Sequence, residues 1–146
     1  MALIDDLGAG PIGVDTAAFI YFIEEDERFL PAVAPLFAAA DSSQVELVAS
    51  TLTLLEVLVV PYRAGNLALA ERYEALLTRG RGVRMVDLTR DHLRLAARLR
   101  AATGATTPDA LQLSVSLTAR CSAFVTNDRR LPTVPGLKIV QLSTYL

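Results

Sequence analysis

Four carboxylates, Asp15, Glu56, Asp109 and Asp128, occupy positions where an acid could do more than keep a surface solvated. Asp15 follows a short β-forming run, Ile12-Gly13-Val14, and precedes an apolar run without turn residues, Ala17 to Ile23. This reads as a buried strand that passes at once into a buried helix, with the acid at the junction. In an open parallel sheet the junction is the carboxyl edge, where ligand sites form. The same position also suits an acid that only caps the helix behind it. Asp109, in Thr107-Pro108-Asp109, falls in a first helical turn, where it could simply favour the helix dipole. Asp128 follows Ala123-Phe124-Val125 and could only close an Asx turn. Glu56 differs, because it interrupts the apolar run Thr53 to Val60. An ionised group there costs several kcal/mol unless it is paired or shifts its pKa. A capping box from Thr53 to Glu56 is the alternative, although it would start the helix partway through the run.

Gathered in one cleft, four carboxylates repel each other and need protonation, arginine partners or divalent cations. Oxygen donors with no histidine or cysteine nearby suit hard ions, Mg²⁺ or Mn²⁺. Two such ions about 4 Å apart activate a water and stabilise the leaving oxygen in phosphodiester cleavage. As a set, the acids point to metal-assisted phosphoryl chemistry.

The elements that must position them alternate along the chain. After the first strand and helix, Glu24 to Arg28 reads as a solvated turn and Leu30 to Ala40 as a helix that tolerates Pro31 in its first turn. Val45 to Ala49 reads as a strand. Leu52 to Val60 reads as a buried helix that Pro61 kinks or ends. Leu67 to Thr78 carries an amphipathic stripe, and Val83 to Val86 makes a third strand. A helix from Thr89 to about Ala102 ends at Gly104. Thr107 then caps a helix running to about Arg120, with proline at its first position. Ala123 to Val125 and Leu137 to Val140 complete five strands. Strands alternating with helices argue for a parallel α/β sheet covered on both faces.

Composition narrows the class. The 146 residues suit one domain, residues 1–146, and 52% of them are hydrophobic against 21% charged. No apolar run reaches the ~20 residues of a membrane span. The N-terminus lacks the pattern of a secretory signal, and the lone Cys121 excludes an internal disulfide and a cysteine-rich zinc site. These features suit the cytoplasm. A net charge of −2 offers no global basic field. The 14 basic residues are nonetheless almost all arginine, whose planar fork suits phosphate oxygens. Arg90 to Arg100 reads as a solvated helix face. Arg129 and Arg130, next to Asp128, are the phosphate-contact candidates. His92, the single histidine, reads as structural or surface.

Four stretches, taken together, resemble the signature of PIN domains in order and spacing. They are Val14-Asp15-Thr16-Ala17-Ala18-Phe19-Ile20-Tyr21-Phe22, Ser50 to Val57, Pro108-Asp109-Ala110-Leu111-Gln112-Leu113 and Phe124 to Leu131. The chain is most similar to the VapC-type toxin ribonucleases of bacterial toxin–antitoxin pairs. The resemblance implies an α/β/α three-layer sandwich with a five-stranded parallel sheet, and Mg²⁺- or Mn²⁺-dependent cleavage of RNA. It places Asp15, Glu56, Asp109 and Asp128 at the family's metal-site acids. Thr16 and Thr126 fall at its common hydroxyl positions on the substrate side, and Asn127 beside the site. It further implies a homodimer and an antitoxin peptide in a groove near the acids, which Phe19, Phe22, Phe29 and Tyr62 could line. A PIN fold kept as a protein-interaction module with little nuclease activity, or a DNA-directed nuclease, is the alternative. A phospho-receiver module is a further rival, but it needs a lysine after the fifth strand, and Lys138 comes before that strand ends.

Overall fold

The computed structural model describes residues 2–146. Its strands are β1 (Ile12–Val14), β2 (Leu47–Ser50), β3 (Val83–Val86), β4 (Ala123–Thr126) and β5 (Lys138–Gln141). Its helices are α1 (Thr16–Ile23), α2 (Leu30–Asp41), α3 (Thr51–Ala64), α4 (Leu67–Arg79), α5 (Arg90–Thr103) and α6 (Thr107–Thr118). All strand pairs are parallel and the order across the sheet is β3-β2-β1-β4-β5. The order itself excludes the phospho-receiver reading, whose sheet runs 2-1-3-4-5. It also locates a switch point: successive strands step one way from β1 and the other way from β1 to β4. Crevices at such points lie beyond the carboxyl ends of the strands.

Side chains alternate along each strand and so build two cores. Ile12, Val14, Leu47, Ala49, Ala123 and Val125 join one core with Phe19, Val33, Leu36 and Tyr73. Val48 and Phe124 face the other way, onto Leu113, Val115 and Leu137. The sheet is therefore the middle of three layers. Gly13 lies between the two inward residues of β1 and faces α6. A Cβ there would stand 2.0 Å from Ser116 Oγ and 2.8 Å from Phe124, so the helix packs where a methyl would otherwise be.

Several boundaries differ from the sequence reading for local reasons. Strand β2 starts at Leu47, where pairing to both neighbours begins, and not at Val45. Helix α3 runs through Pro61 instead of ending there. The proline sits buried in the last turns, and the helix stops at Gly65, whose φ of 68° takes the left-handed cap. Nor is α3 buried all round: Leu55, Val59, Val60 and Tyr62 are exposed. The cap of α6 is Thr106, whose hydroxyl accepts the Asp109 N–H at 3.3 Å, one residue earlier than Thr107. Cys121 is buried among apolar neighbours, which pushes its thiol up to about 11 and leaves it inert at neutral pH.

Candidate active site

Asp15 caps α1, with its Oδ1 accepting the Thr16 N–H at 2.7 Å. Capping is only part of its role, because Oδ2 accepts the Thr126 hydroxyl at 2.7 Å from the end of β4. Its own N–H donates to the Val125 carbonyl at 2.9 Å, so the acid sits on the switch point between β1 and β4. Burial raises the pKa of Asp15. The hydrogen bonds from Thr126 and Thr16 oppose that rise, while the charges of Asp109 and Glu56 add to it. Two acids remote in sequence therefore act on Asp15 through space.

Glu56 is not part of a capping box, since the cap of α3 is Ser50, whose hydroxyl accepts the Leu52 N–H at 3.0 Å. Its Oε1 instead accepts the Thr16 hydroxyl at 2.7 Å. Thr16 thus touches two acids at once: its backbone holds Asp15 and its side chain holds Glu56. Behind this junction lie Thr53 and Gln112, both buried. The Gln112 amide nitrogen stands 3.0 Å from Thr16 Oγ1, 3.2 Å from Thr53 Oγ1 and 3.2 Å from Glu56 Oε1. The sequence offers Thr53 only as a possible cap for Glu56 and gives Gln112 no separate role. Each carried the signal that singled out Glu56, a polar side chain inside an apolar helical run, and each lies three residues from an acid on its own helix.

Asp128 stands in a more open setting. Its Oδ1 accepts the Arg130 N–H at 2.9 Å and the Arg130 Nε–H at 3.2 Å, and the backbone bond is the leading reason its carboxyl lies below the usual range. Arg130 feels the charge of Asp109 as well as that of Asp128. Asp109 takes part in no hydrogen bond or ion pair through its carboxylate among the described residues. An open cleft of about 290 Å³ is lined by Asp15, Ala17, Tyr21, Asn127, Asp128 and Arg130. Asn127 is turned toward Tyr21, donating to its hydroxyl at 3.2 Å. Two larger hollows of about 420 Å³ lie elsewhere, each with one acid in its lining, Glu46 or Asp41.

The structure brings Asp15 and Asp128 to one cleft and ties Glu56 to Asp15 through Thr16, with Asp109 within electrostatic reach. Other expected residues are placed differently. Thr16 and Thr126 do not face a substrate: both are buried and spend their hydroxyls on Glu56 and Asp15. Arg129 turns away to donate to Ser143 at 2.7 Å, leaving Arg130 as the arginine of the cleft. Phe19 and Phe29 are core residues. Phe22 stacks on Phe37 with ring centroids 4.1 Å apart, so of the four aromatics expected in a groove only Tyr62 is exposed. His92 is structural: its Nδ1 accepts the Thr89 N–H at 3.0 Å and its Nε2 meets the Thr118 hydroxyl at 3.0 Å, pinning α5 to α6.

The donor set suits a hard cation of a particular kind. Among the described residues no three acids stand close enough to grasp one bare ion together. An ion that keeps several of its waters, as Mg²⁺ does, needs only one or two direct carboxylates. Half-buried Asp15, whose pKa is raised by desolvation and further by the charges of Asp109 and Glu56, supplies the charge such an ion would neutralise.

A PIN domain family model matches residues 12–137. The chain belongs to the PIN domain family. Comparison with solved structures gives the same fold. A toxin–antitoxin complex from Klebsiella pneumoniae aligns with TM-score 0.65 and 19% identity over 88% of this chain and 95% of that one. VapBC2 from Rickettsia felis, bound to a DNA fragment from its promoter, aligns with TM-score 0.70 and 15% identity over 89% and 97%. A DNA-bound VapBC from Salmonella typhimurium aligns with TM-score 0.63 and 19% identity over 91% and 98%. At these identities the likeness is one of fold. No curated protein matches the sequence. No helix of this PIN domain is long and apolar enough to cross a membrane among the described residues.

Proposed function

We propose that this PIN domain is a metal-dependent endoribonuclease and the toxin of a toxin–antitoxin pair. The observation that carries the reading is the Thr16 junction, which binds Asp15 and Glu56 together at the switch point of the sheet. A purely structural cap has no use for a second carboxylate drawn to the same residue, nor for a third acid raising the first. Membership of a family that generally consists of nucleases supports the same chemistry.

In this reading Asp15, Glu56 and Asp109 hold Mg²⁺ or Mn²⁺, directly or through its waters, with Asp128 completing the acidic wall. An ion held there would supply Lewis acidity, to a water and to the leaving oxygen. The chain's own residues do the rest. Thr126 and the Thr16 N–H keep Asp15 oriented, and the Thr16 hydroxyl keeps Glu56 oriented. Arg130, fixed to Asp128 but with its side chain largely in solvent, offers its remaining N–H groups to a phosphate. Tyr21 and Asn127 border the same cleft.

An antitoxin partner is supported by the fold neighbours, one a toxin–antitoxin complex and two VapBC complexes. Apolar surface for such a partner exists on α3, where Leu55, Val59 and Tyr62 are 61, 40 and 56% exposed on the helix that carries Glu56. The homodimer expected from the resemblance is checked by sedimentation of the purified chain.

The deciding experiment incubates the purified protein with a structured RNA and with DNA of the same sequence, in Mg²⁺, Mn²⁺ or chelator. Metal-dependent cleavage of RNA, abolished in Asp15→Asn, is the expected outcome. Equal cutting of DNA redirects the reading to a DNA nuclease. No cleavage under any condition, with growth unaffected when the chain is expressed alone, leaves only an interaction module.

A further inference from the structure

We propose that Gln112 is a positioning residue, whose amide nitrogen joins the three helices that bear Asp15, Glu56 and Asp109 and fixes the Glu56 carboxylate for its ion. The inference rests on the metal-dependent reading above and adds to it a residue that touches neither metal nor RNA.

Counting protons fixes the direction of each bond. The Thr16 hydroxyl has a single proton, and its 2.7 Å contact with Glu56 Oε1 uses it, because a carboxylate can only accept. The 3.1 Å contact between Thr16 and Thr53 must then have Thr53 as donor. Both hydroxyl protons are now committed, one after the other, in the direction of Glu56. The remaining lone pairs on Thr16 and Thr53 face Gln112 Nε2, at 3.0 and 3.2 Å, and Glu56 Oε1 faces it at 3.2 Å. A flipped amide would set its oxygen against these three oxygens, so the nitrogen must point inward. Glu56 Oε1 thus accepts from both Thr16 and Gln112, and Oε2 accepts from neither.

Gln112, Thr53 and Thr16 are 5, 0 and 9% exposed, so water has little access to the space the amide nitrogen fills. Among the described residues Gln112, three residues beyond Asp109, is also the only side chain of α6 hydrogen-bonded to α1 and α3. Removing it releases Glu56 from one of its two donors and loosens the helix of Asp109 relative to the other two acids.

The test measures Mn²⁺ binding to the metal-free protein by titration calorimetry, beside the thermal midpoint and the kcat and KM of RNA cleavage. Gln112→Met keeps the side-chain length and removes the donor. It is expected to fold, to bind Mn²⁺ about 10- to 100-fold more weakly, as loss of an outer-shell partner does, and to lose kcat more than it raises KM. Thr53→Val is expected to weaken Mn²⁺ binding by a few-fold, and Thr53→Ser, which keeps the hydroxyl, to recover most of that loss. Gln112→Met with a lowered midpoint but parental Mn²⁺ affinity, beside a weakened Glu56→Gln, overturns the positioning role alone. If Gln112→Met does not fold, parental affinity in Thr53→Val overturns it equally. Parental affinity in both Glu56→Gln and Asp15→Asn overturns the metal reading, and this inference with it.

Discussion

Asp15 and Glu56 form an inner half of the site, held by protein donors on sides that water does not reach, while Asp128 and Arg130 form an outer half at the mouth of the cleft. The inner acids accept from Thr126, from both groups of Thr16 and from Gln112, all of them buried. The outer acid is held within its own loop, by the backbone and side chain two residues on, and the Arg130 side chain is 90% exposed. The two settings push the carboxyls in opposite directions, Asp15 up through burial and Asp128 down through the Arg130 N–H. The charge of Asp15 is thus costly to keep, and that of Asp128 is easily kept. An ion would gain most from the first, and a flexible phosphate chain would be met by the second.

The largest expected effect comes from breaking the inner half. Asp15→Asn should reduce RNA cleavage by more than about 100-fold, beyond the cost of losing an outer-shell partner. It should also raise the melting temperature of the metal-free protein at pH 7, since it removes a partly desolvated charge. The sign follows from the raised pKa: Asp15 stabilises the fold below its unfolded value of 3.8, and that contribution is lost as pH rises through the folded value. The gap in melting temperature between Asn and parent should therefore close in acid. Added Mn²⁺ should raise the melting temperature of the parent and leave that of Asp15→Asn unmoved.

A smaller effect is expected where the halves meet. Thr126 donates to Asp15 Oδ2 and accepts the Asp128 N–H at 3.0 Å, so one hydroxyl serves both. Thr126→Val should cost about 1–3 kcal/mol in denaturant unfolding through two orphaned buried groups. It should also lower kcat by about tenfold, if it acts as other outer-shell partners do. An unchanged kcat would mean that the two halves work independently.

The outer half should respond least. Arg130→Ala is expected to raise KM by a few-fold, to flatten the salt dependence of RNA binding, and to change stability by less than about 1 kcal/mol. Because the backbone N–H is the first cause of the lowered Asp128 pKa, that carboxyl should stay below its usual range in the variant. Its contribution to stability is present above 3.8 and lost as pH falls through the lower folded value, the reverse of Asp15. Carboxyl chemical shifts followed against pH would show both signs.

The layered fold and the acids were legible from local pattern. Strand-ending Asp15 and Asp128 and the misplaced Glu56 stand out because hydrophobic periodicity makes a polar intruder visible. What escaped was direction. Thr16 and Thr126 read as substrate-side hydroxyls, yet they point inward, because which way a junction residue turns depends on a partner 40 or 111 residues away. Arg129 and Arg130 are adjacent in the chain and diverge in space, one to Ser143 and one to Asp128. The continuity of apolar residues in α3 suggested burial all round. Only the assembled layers show that Leu55 and Val60 have no helix to cover them.

Gly13 gives the site its dimensions. It lies two residues before Asp15, and the atom it lacks lets Ser116, two helical turns beyond Asp109, come down onto β1. One added methyl would push α6 outward like a shim under a bearing and carry Asp109 with it. The spacing between two acids nearly a hundred residues apart is thus calibrated at the far end of the helix, by an atom that is not there.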